Sequence, residues 1–450
     1  MYVKSAVLIA MLSLQGGVLP LPSVQRSRQS ADRAFDVREL LVAARGVSPA
    51  MCAFASDGVS NGGWNWDAPT AFAHSEIRGG LRSLRSLEID DDQGRALLDG
   101  LSSDDDCVRH LAGTLIGRSG DHSFLSPLMT RLDSKSPAER AGAARVLGLL
   151  DDRRAVDALV AHLHDENAGV RANSAWSLGR IGDRDASPQI ATLLHDTDAL
   201  VRLAATTALG QLPTTDNVDL LLRVLKDDQS PEVRRTAAWA LGQIGSRTAG
   251  EGLAAALHSD KTDTVREMSA WALAEIHARD LADALATSLK GDESESVRET
   301  SAWALGEIGV KKAADQLGDA LARDKSTRVR ATAAWAIGEL DPGRAPKSLL
   351  TALHDQDDDV RLKAAWALSQ IGDAETVNDI NAALKNEKQD KVRQALVRAL
   401  VESGETSGEA FKDLLDAKDR GTREIAVKAL AGRRGPWPWP WPQPRPRPFP

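Results

Sequence analysis

Six tryptophans, Trp176, Trp239, Trp271, Trp303, Trp335 and Trp366, stand in near-identical surroundings. Five glutamates, Glu267, Glu275, Glu299, Glu307 and Glu339, each lie four residues before or after one of them. An indole face attracts a cation and a carboxylate beside it adds charge, so this pairing suits Lys or Arg. Indoles also suit the flat faces of sugar rings, but evenly spaced acids favour a cation. No other residues form a reactive set. Nothing supplies a nucleophile with a base and a metal. His162, His164, His195, His258 and His354 fall near the ends of short apolar helices, where an imidazole interacts with the helix dipole. No catalytic residue, metal site or cofactor is therefore assigned.

The elements that must position the tryptophans repeat along the chain. Val233–Gly245 reads VRRTAAWALGQIG, Val297–Gly309 reads VRETSAWALGEIG and Val360–Gly372 reads VRLKAAWALSQIG. Taking the Arg after the Val as a phase mark gives Arg109, Arg140, Arg171, Arg202, Arg234, Arg266, Arg298, Arg330, Arg361 and Arg393, in steps of 31 or 32 residues. A fixed period over most of a chain implies a solenoid, because each unit buries its apolar face only against its neighbours. Each repeat reads as a first amphipathic helix, a short acidic turn and a second helix opening near the Val-Arg pair.

On a wheel of the second helix, the Val at −1, the small residues at +3, +4 and +6, the Leu at +7 and the Ile at +10 make one apolar face. The Trp at +5 lies about 160° from the centre of that face, with polar residues at +1, +2 and +9. Two placements follow. The indoles form a partly exposed row on the concave side, or each lies flat across a neighbouring helix. Helices ~8–10 Å apart hold successive rings too far apart to stack on each other, and an exposed row would leave slots for a ligand side chain.

A second ladder reads as structural. Asp165, Asp196, Asp228, Asp260, Asp292, Asp324 and Asp355 each stand six residues before a phase Arg: Arg171, Arg202, Arg234, Arg266, Arg298, Arg330 and Arg361. Each Asp is expected to offset the unfavourable Arg at a helix start and to grip the guanidinium in a fork. Gly recurs at +8, as at Gly148, Gly179, Gly242, Gly306 and Gly338. A mid-helix Gly costs roughly 1 kcal/mol, so its recurrence predicts a close helix approach. Gly182, Gly245, Gly309 and Gly372 suit helix C-caps.

The remaining features bound the setting. Net charge is −8, which argues against a general nucleic-acid binder. Cys52 and Cys107 are too few for a disulfide framework; they either pair in an oxidising compartment or are separate core thiols. Met1–Leu14 holds one early Lys and then an apolar run, read over 1–25 as a secretory signal with no Ala-x-Ala site to mark cleavage; a frayed helix is the other reading. Residues 26–74 depart from the repeat and read as a cap with a Gly/Asn/Trp loop. Short helices are expected at Phe35–Ala44 and Pro49–Ala55. The solenoid runs over 75–433. The tail, 434–450, alternates Pro with Trp, Arg or Phe, which leaves polyproline II. It is a solvated end, a membrane or envelope contact, or a self-binding segment docked in a Trp/Glu groove.

The motif VR-x-x-A-A-x-A-L-G-x-I-G followed by an amphipathic helix resembles the short HEAT-like repeats of the phycobilisome-lyase type. The resemblance implies an all-α fold, a right-handed α-solenoid of about 11 helix pairs with period 31–32 residues and the second helices lining the concave side. Two enzyme families resemble it in repeat type. Bilin lyases attach a tetrapyrrole to a partner, and deoxyhypusine hydroxylase holds two irons with His-Glu pairs. This sequence has no His-Glu dipeptide, so Glu275, Glu307 and Glu339 lack the partner that iron requires. The expectation is a non-catalytic, secreted or periplasmic scaffold binding a protein or cationic peptide. An enzyme of those lyase or hydroxylase families is the first alternative; glycan or envelope binding through the Trp row and tail is the second.

Overall fold

The computed structural model describes residues 37–47, 89–212, 214–404, 411, 415 and 420–431. The expected signal segment, the helix at Pro49–Ala55, the loop with Trp64 and Trp66, and the tail lie outside the described residues. The chain divides into two compact units, residues 1–212 and 213–450.

The first unit contains α1 (Val37–Ala44), α2 (Asp91–Gly100), α3 (Asp106–Ser119), α4 (Leu125–Leu132), α5 (Pro137–Leu150), α6 (Val156–Ala161), α7 (Ala168–Ile181), α8 (Ser187–Thr192) and α9 (Ala199–Gln211). The second contains α10 (Val218–Asp227), α11 (Pro231–Ile244), α12 (Gly250–Ser259), α13 (Asp263–Glu275), α14 (Ala282–Gly291), α15 (Glu295–Ile308), α16 (Ala314–Arg323), α17 (Thr327–Leu340), α18 (Lys347–Ala352), α19 (Asp358–Ile371), α20 (Val377–Asn386), α21 (Asp390–Glu402) and α22 (Arg420–Leu430). The described residues contain no strand. From α2 to α21, even-numbered elements are first helices and odd-numbered ones second helices. Within each unit every second helix packs on its own first helix and on the second helices to either side. This is an all-α solenoid stack.

Local sequence explains where the second helices begin and end. Asn167, Ser230, Ser326 and Asp357 accept the amides of Val170, Val233, Val329 and Val360, three residues on. That satisfies an otherwise orphaned donor at each helix start. Pro137 and Pro231 open α5 and α11 at positions where no amide is needed. At the other end Gly182, Gly245, Gly309 and Gly372 adopt left-handed φ of 74, 72, 68 and 62°, as their spacing predicts. The core is the apolar face read from the wheel: Val170, Leu178, Val233, Leu241, Val297 and Leu305 are fully buried.

Why Gly recurs at +8 is also visible. A Cβ on Gly148 would come within 2.7 Å of the Ser177 backbone, and one on Gly179 within 2.5 Å of Ala208 Cα. In the second unit a Cβ on Gly242 would meet Trp271 Cζ3 at 2.8 Å, and one on Gly338 would meet Trp366 Cζ3 at 2.6 Å. Each glycine admits the following second helix to backbone contact, and in the second unit it also seats the next indole. Three non-glycine residues, Asp151, His277 and Asp341, take the left-handed conformation where a capping glycine is missing.

Candidate binding surfaces of the second helices

The repeat motif can build a surface only from side chains that its packing leaves outside. The tryptophans are not among them. Trp176, Trp239, Trp271, Trp303, Trp335 and Trp366 are 7, 8, 3, 8, 5 and 6% exposed. The partly exposed row is therefore corrected to its alternative, rings lying between successive second helices. The wheel treats a helix alone, with one covered side. In a solenoid the second helix is flanked on both sides by others, and a helical side chain leans back over the turn before it. At Gly242, Gly306 and Gly338 that lean carries the six-membered edge of the next indole onto bare backbone. Trp271 Nε1 is buried with no hydrogen-bond partner, so the ring is held by packing rather than by its polar atom.

The glutamates separate into two groups. Glu299 at +1 is buried, 8% exposed. It pairs with Arg328 Nη2, whose Nη1 lies 3.4 Å from Glu295 Oε1. Glu267 at +1 is half-buried and accepts Thr300 Oγ1 at 3.5 Å. Burial first, then the charges of Glu299 and Asp263, push its carboxyl up; Arg235 and Arg328 oppose this incompletely. These two carboxylates belong to packed charge networks. The +9 residues face outward: Glu307 and Glu339 are exposed and Glu275 half-buried. Neither Glu307 nor Glu339 has an ion pair among the described residues. Partial burial, then the Glu307 charge, push the Glu339 carboxyl above its ordinary value. Successive repeats thus place like charges close enough to repel.

The Asp/Arg ladder is built, with a partner one repeat away from the expected one. Arg266 Nε and Nη2 donate to Asp292 at 2.7 and 2.9 Å, and Arg298 grips Asp324 at 2.7 and 3.1 Å. Arg140–Asp165, Arg171–Asp196, Arg234–Asp260 and Arg330–Asp355 repeat the fork. Arg361 takes Glu387 instead. The expected grip six residues apart is real only through the main chain: Arg171 Nη1 donates to the Asp165 carbonyl at 2.9 Å, and Arg298 Nη1 to that of Asp292 at 2.9 Å. One guanidinium therefore closes its own turn and ties it to the next repeat. The Asp also accepts an amide two residues on, as Asp292 does from Ser294 at 2.9 Å. Arg202 likewise donates to the Asp196 carbonyl.

The same register in the first unit carries the opposite charge, which the sequence reading missed by following only Trp and Glu. Position +9 is Arg118 on α3 and Arg180 on α7, with Leu149 between them on α5, and +5 on α5 is Arg145. Arg145 and Arg180 place Cζ at 5.7 and 5.8 Å from the centroid of Trp176. The signal was present in the sequence: the register that gives Glu275, Glu307 and Glu339 gives arginines when extended toward the N-terminus.

The comparisons with known proteins follow this repeat. The family described as HEAT repeats matches residues 94–167, 125–205, 187–274, 250–338 and 346–431. The chain belongs to the HEAT-repeat family. No curated protein matches it. Among solved structures it is similar to an engineered protein, at 22% identity over 68% of this chain and 98% of that one, TM-score 0.42. It is similar to the CpcE–CpcF complex of phycocyanin lyase from Nostoc sp., at 23% identity over 55% and 94%, TM-score 0.32. It is also similar to Kap95p, solved with RanGDP, at 14% identity over 75% and 61%, TM-score 0.48.

No group of three or more His, Cys, Asp or Glu among the described residues is placed to hold a metal ion. None of the described helices is long and apolar enough to cross a membrane. Cys107 on α3 is disulfide-bonded; the chain's other cysteine, Cys52, lies outside the described residues.

Proposed function

We propose that this HEAT-repeat chain is a non-catalytic scaffold that binds a protein or peptide, and that the second unit receives a cationic segment along the +9 strip of Glu275, Glu307 and Glu339. One observation carries the reading. Exposed Glu307 and Glu339 occupy the same +9 position on the neighbouring second helices α15 and α17, so like charges adjoin, and neither has an ion pair among the described residues. A Lys or Arg side chain brought between them relieves that repulsion and gains charge-assisted hydrogen bonds. The tryptophans contribute by fixing the spacing of the helices, not by touching the ligand.

We place the scaffold outside the cytoplasm. The early Lys and apolar run at Met1–Leu14 support a secretory route, and the Cys107 disulfide supports an oxidising compartment.

The test uses the full chain and a synthetic peptide of residues 435–450, which carries Arg445 and Arg447 and no acid, beside an arginine-rich peptide of unrelated sequence. Titration at low salt is expected to show binding that weakens roughly tenfold in Glu307→Gln/Glu339→Gln. Equal affinity in wild type and variant would remove the acidic strip as the contact surface. Binding of the arginine-rich peptide but not of the tail peptide would assign the strip to a separate partner.

A further inference from the structure

The first helices of the first unit end in a register whose chemistry changes from one repeat to the next. Arg131, His162 and Leu193 follow one another in steps of 31 residues, in or just after the last turns of α4, α6 and α8. A helix ends with carbonyls that have no amide partner of their own. Arg131 Nη1 reaches back to one of them, Pro127, at 3.3 Å. His162 Nδ1 reaches back in the same way, to the Ala158 carbonyl at 2.8 Å. Leu193 is a buried apolar side chain and donates nothing. His162 also crosses to the preceding repeat. Its Nε2 lies 2.9 Å from the carbonyl of Leu132, the last residue of α4.

Both partners of the ring are thus carbonyl oxygens, which accept and never donate. A neutral imidazole has one N–H and one lone pair. It satisfies one of these carbonyls and turns its lone pair on the other, at 2.8 or 2.9 Å. Only the imidazolium, with two N–H groups, makes both bonds. The charges around the ring suit a cation. Asp133 Oδ1 lies 3.9 Å from Nε2. Asp165 feels the His162 charge, although the hydrogen bond from Arg140 is the larger influence holding its carboxyl low. The cations that neighbouring elements bring here are engaged elsewhere. Arg131 on α4 is 3.3 Å from Glu139, Arg140 on α5 grips Asp165, and Arg171 on α7 grips Asp196. His122 offers a contrast. It also crosses a repeat, with Nδ1 2.7 Å from Asp152 Oδ2. A carboxylate accepts from a neutral ring as well, and Arg154 holds Asp152 whatever the ring does.

We infer that His162 is a proton-operated clasp between α4 and α6: the imidazolium ties the Leu132 carbonyl of one repeat to the Ala158 carbonyl of the next, and loss of one ring proton to water opens the tie. What then joins these two repeats is packing and the Arg140–Asp165 fork. The clasp is complete below the ordinary titration range of imidazole and is lost as pH rises through it. It is independent of the acidic strip, which lies in the second unit.

The test is amide exchange of the full chain, scored as protection factors in the last turn of α4 from about pH 5 to about pH 8. Wild type is expected to lose protection there roughly tenfold across that range. His162→Gln, whose side chain does not titrate, is expected to stay level. His162→Leu copies the next repeat and is the second variant should Gln disturb the turn; it is expected to stay level too. Nitrogen NMR of labelled histidine, with His162 assigned by its absence from the Gln variant, is expected to show both ring nitrogens protonated at about pH 5. The same loss of protection in wild type and both variants overturns the proposal. So does full protection of α4 at a pH where the His162 ring is neutral.

Discussion

The first and second units are assembled by one set of rules and finished with opposite surfaces. Arg171 grips Asp196 in one and Arg266 grips Asp292 in the other, with matching donor–acceptor distances of 2.8–2.9 and 2.7–2.9 Å. Gly179 and Gly338 both let a following helix approach to backbone contact. What differs is the outward register. The first unit has Arg118 and Arg180 at +9 where the second has Glu275, Glu307 and Glu339. In the first unit one indole is flanked by two guanidiniums. In the second, indoles abut glycine backbone. A solenoid's stability is close to a sum of repeat and interface contributions. The positions that build interfaces therefore stay fixed while the +9 surface takes either sign.

The largest effect expected is the loss of a rung, and it should be alike in both units. Asp196→Ala leaves the half-buried Arg171 without its carboxylate partner, and Asp292→Ala does the same to Arg266; these side chains are 16, 9, 15 and 8% exposed in the order Arg171, Asp196, Arg266, Asp292. Removing one member of a buried pair costs about 3 kcal/mol. Because a long repeat array need not unfold in one step, the measurement is amide exchange in the second helices flanking each rung. Protection should fall in α7–α9 for Asp196→Ala and in α13–α15 for Asp292→Ala. A change in one unit but not the other would break the claim of a common framework.

A smaller and sign-reversing pair sharpens it. Gly338→Ala places a Cβ 2.6 Å from Trp366 Cζ3 and 2.9 Å from Ala367 Cα. Overpacking of this kind costs about 1–3 kcal/mol. Gly142 on α5 has nothing within 4 Å of its Cβ position, so Gly142→Ala gains helix propensity of up to about 1 kcal/mol. Thermal midpoints should fall for the first and rise for the second. A fall for both would mean that glycine serves these helices in some way other than close approach.

The difference between these glycines shows how much the sequence could say. The period, the helix pairs, the caps and the close approach at +8 were legible because they repeat and each has a local physical cause. The indoles were not placed, because a single-helix wheel cannot include the flanking helices that cover them. The rungs were half-read. Six residues from Asp165 to Arg171 suggested a local pair, but the fork spans 25 residues, from Arg140 to Asp165, and only stacking brings those together. The arginines around Trp176 were passed over because they do not recur at every repeat; they became visible once two helices were seen to share one ring.

The smallest effect concerns pH, and its Glu267 half has no counterpart at the +1 positions of the first unit, which are His110, Ala141, Ala172 and Leu203. At Asp292 burial opposes ionisation, but hydrogen bonds from Arg266 and the Ser294 amide and the charges of Arg266 and Arg298 outweigh it, holding the carboxyl below its ordinary value. Its contribution is present above the unfolded-state pKa of ~4 and is lost as pH falls through the lower folded value. Glu267 runs the other way: burial and Glu299 raise it. A raised carboxyl favours folding fully below the unfolded-state pKa of ~4.3, and that benefit is lost as pH rises through the folded value. Glu267→Gln removes the charge that burial disfavours. The variant should therefore melt slightly above wild type at pH 7, by about 1 kcal/mol or less, and the gain should vanish below the ordinary Glu range. The rung variant Asp292→Ala should show the reverse, a deficit at pH 7 that narrows as the wild-type carboxylate protonates. If Glu267→Gln melts lower than wild type at pH 7, its pairing with Arg235 outweighs its burial, and the +1 carboxylates belong with the rungs rather than apart from them.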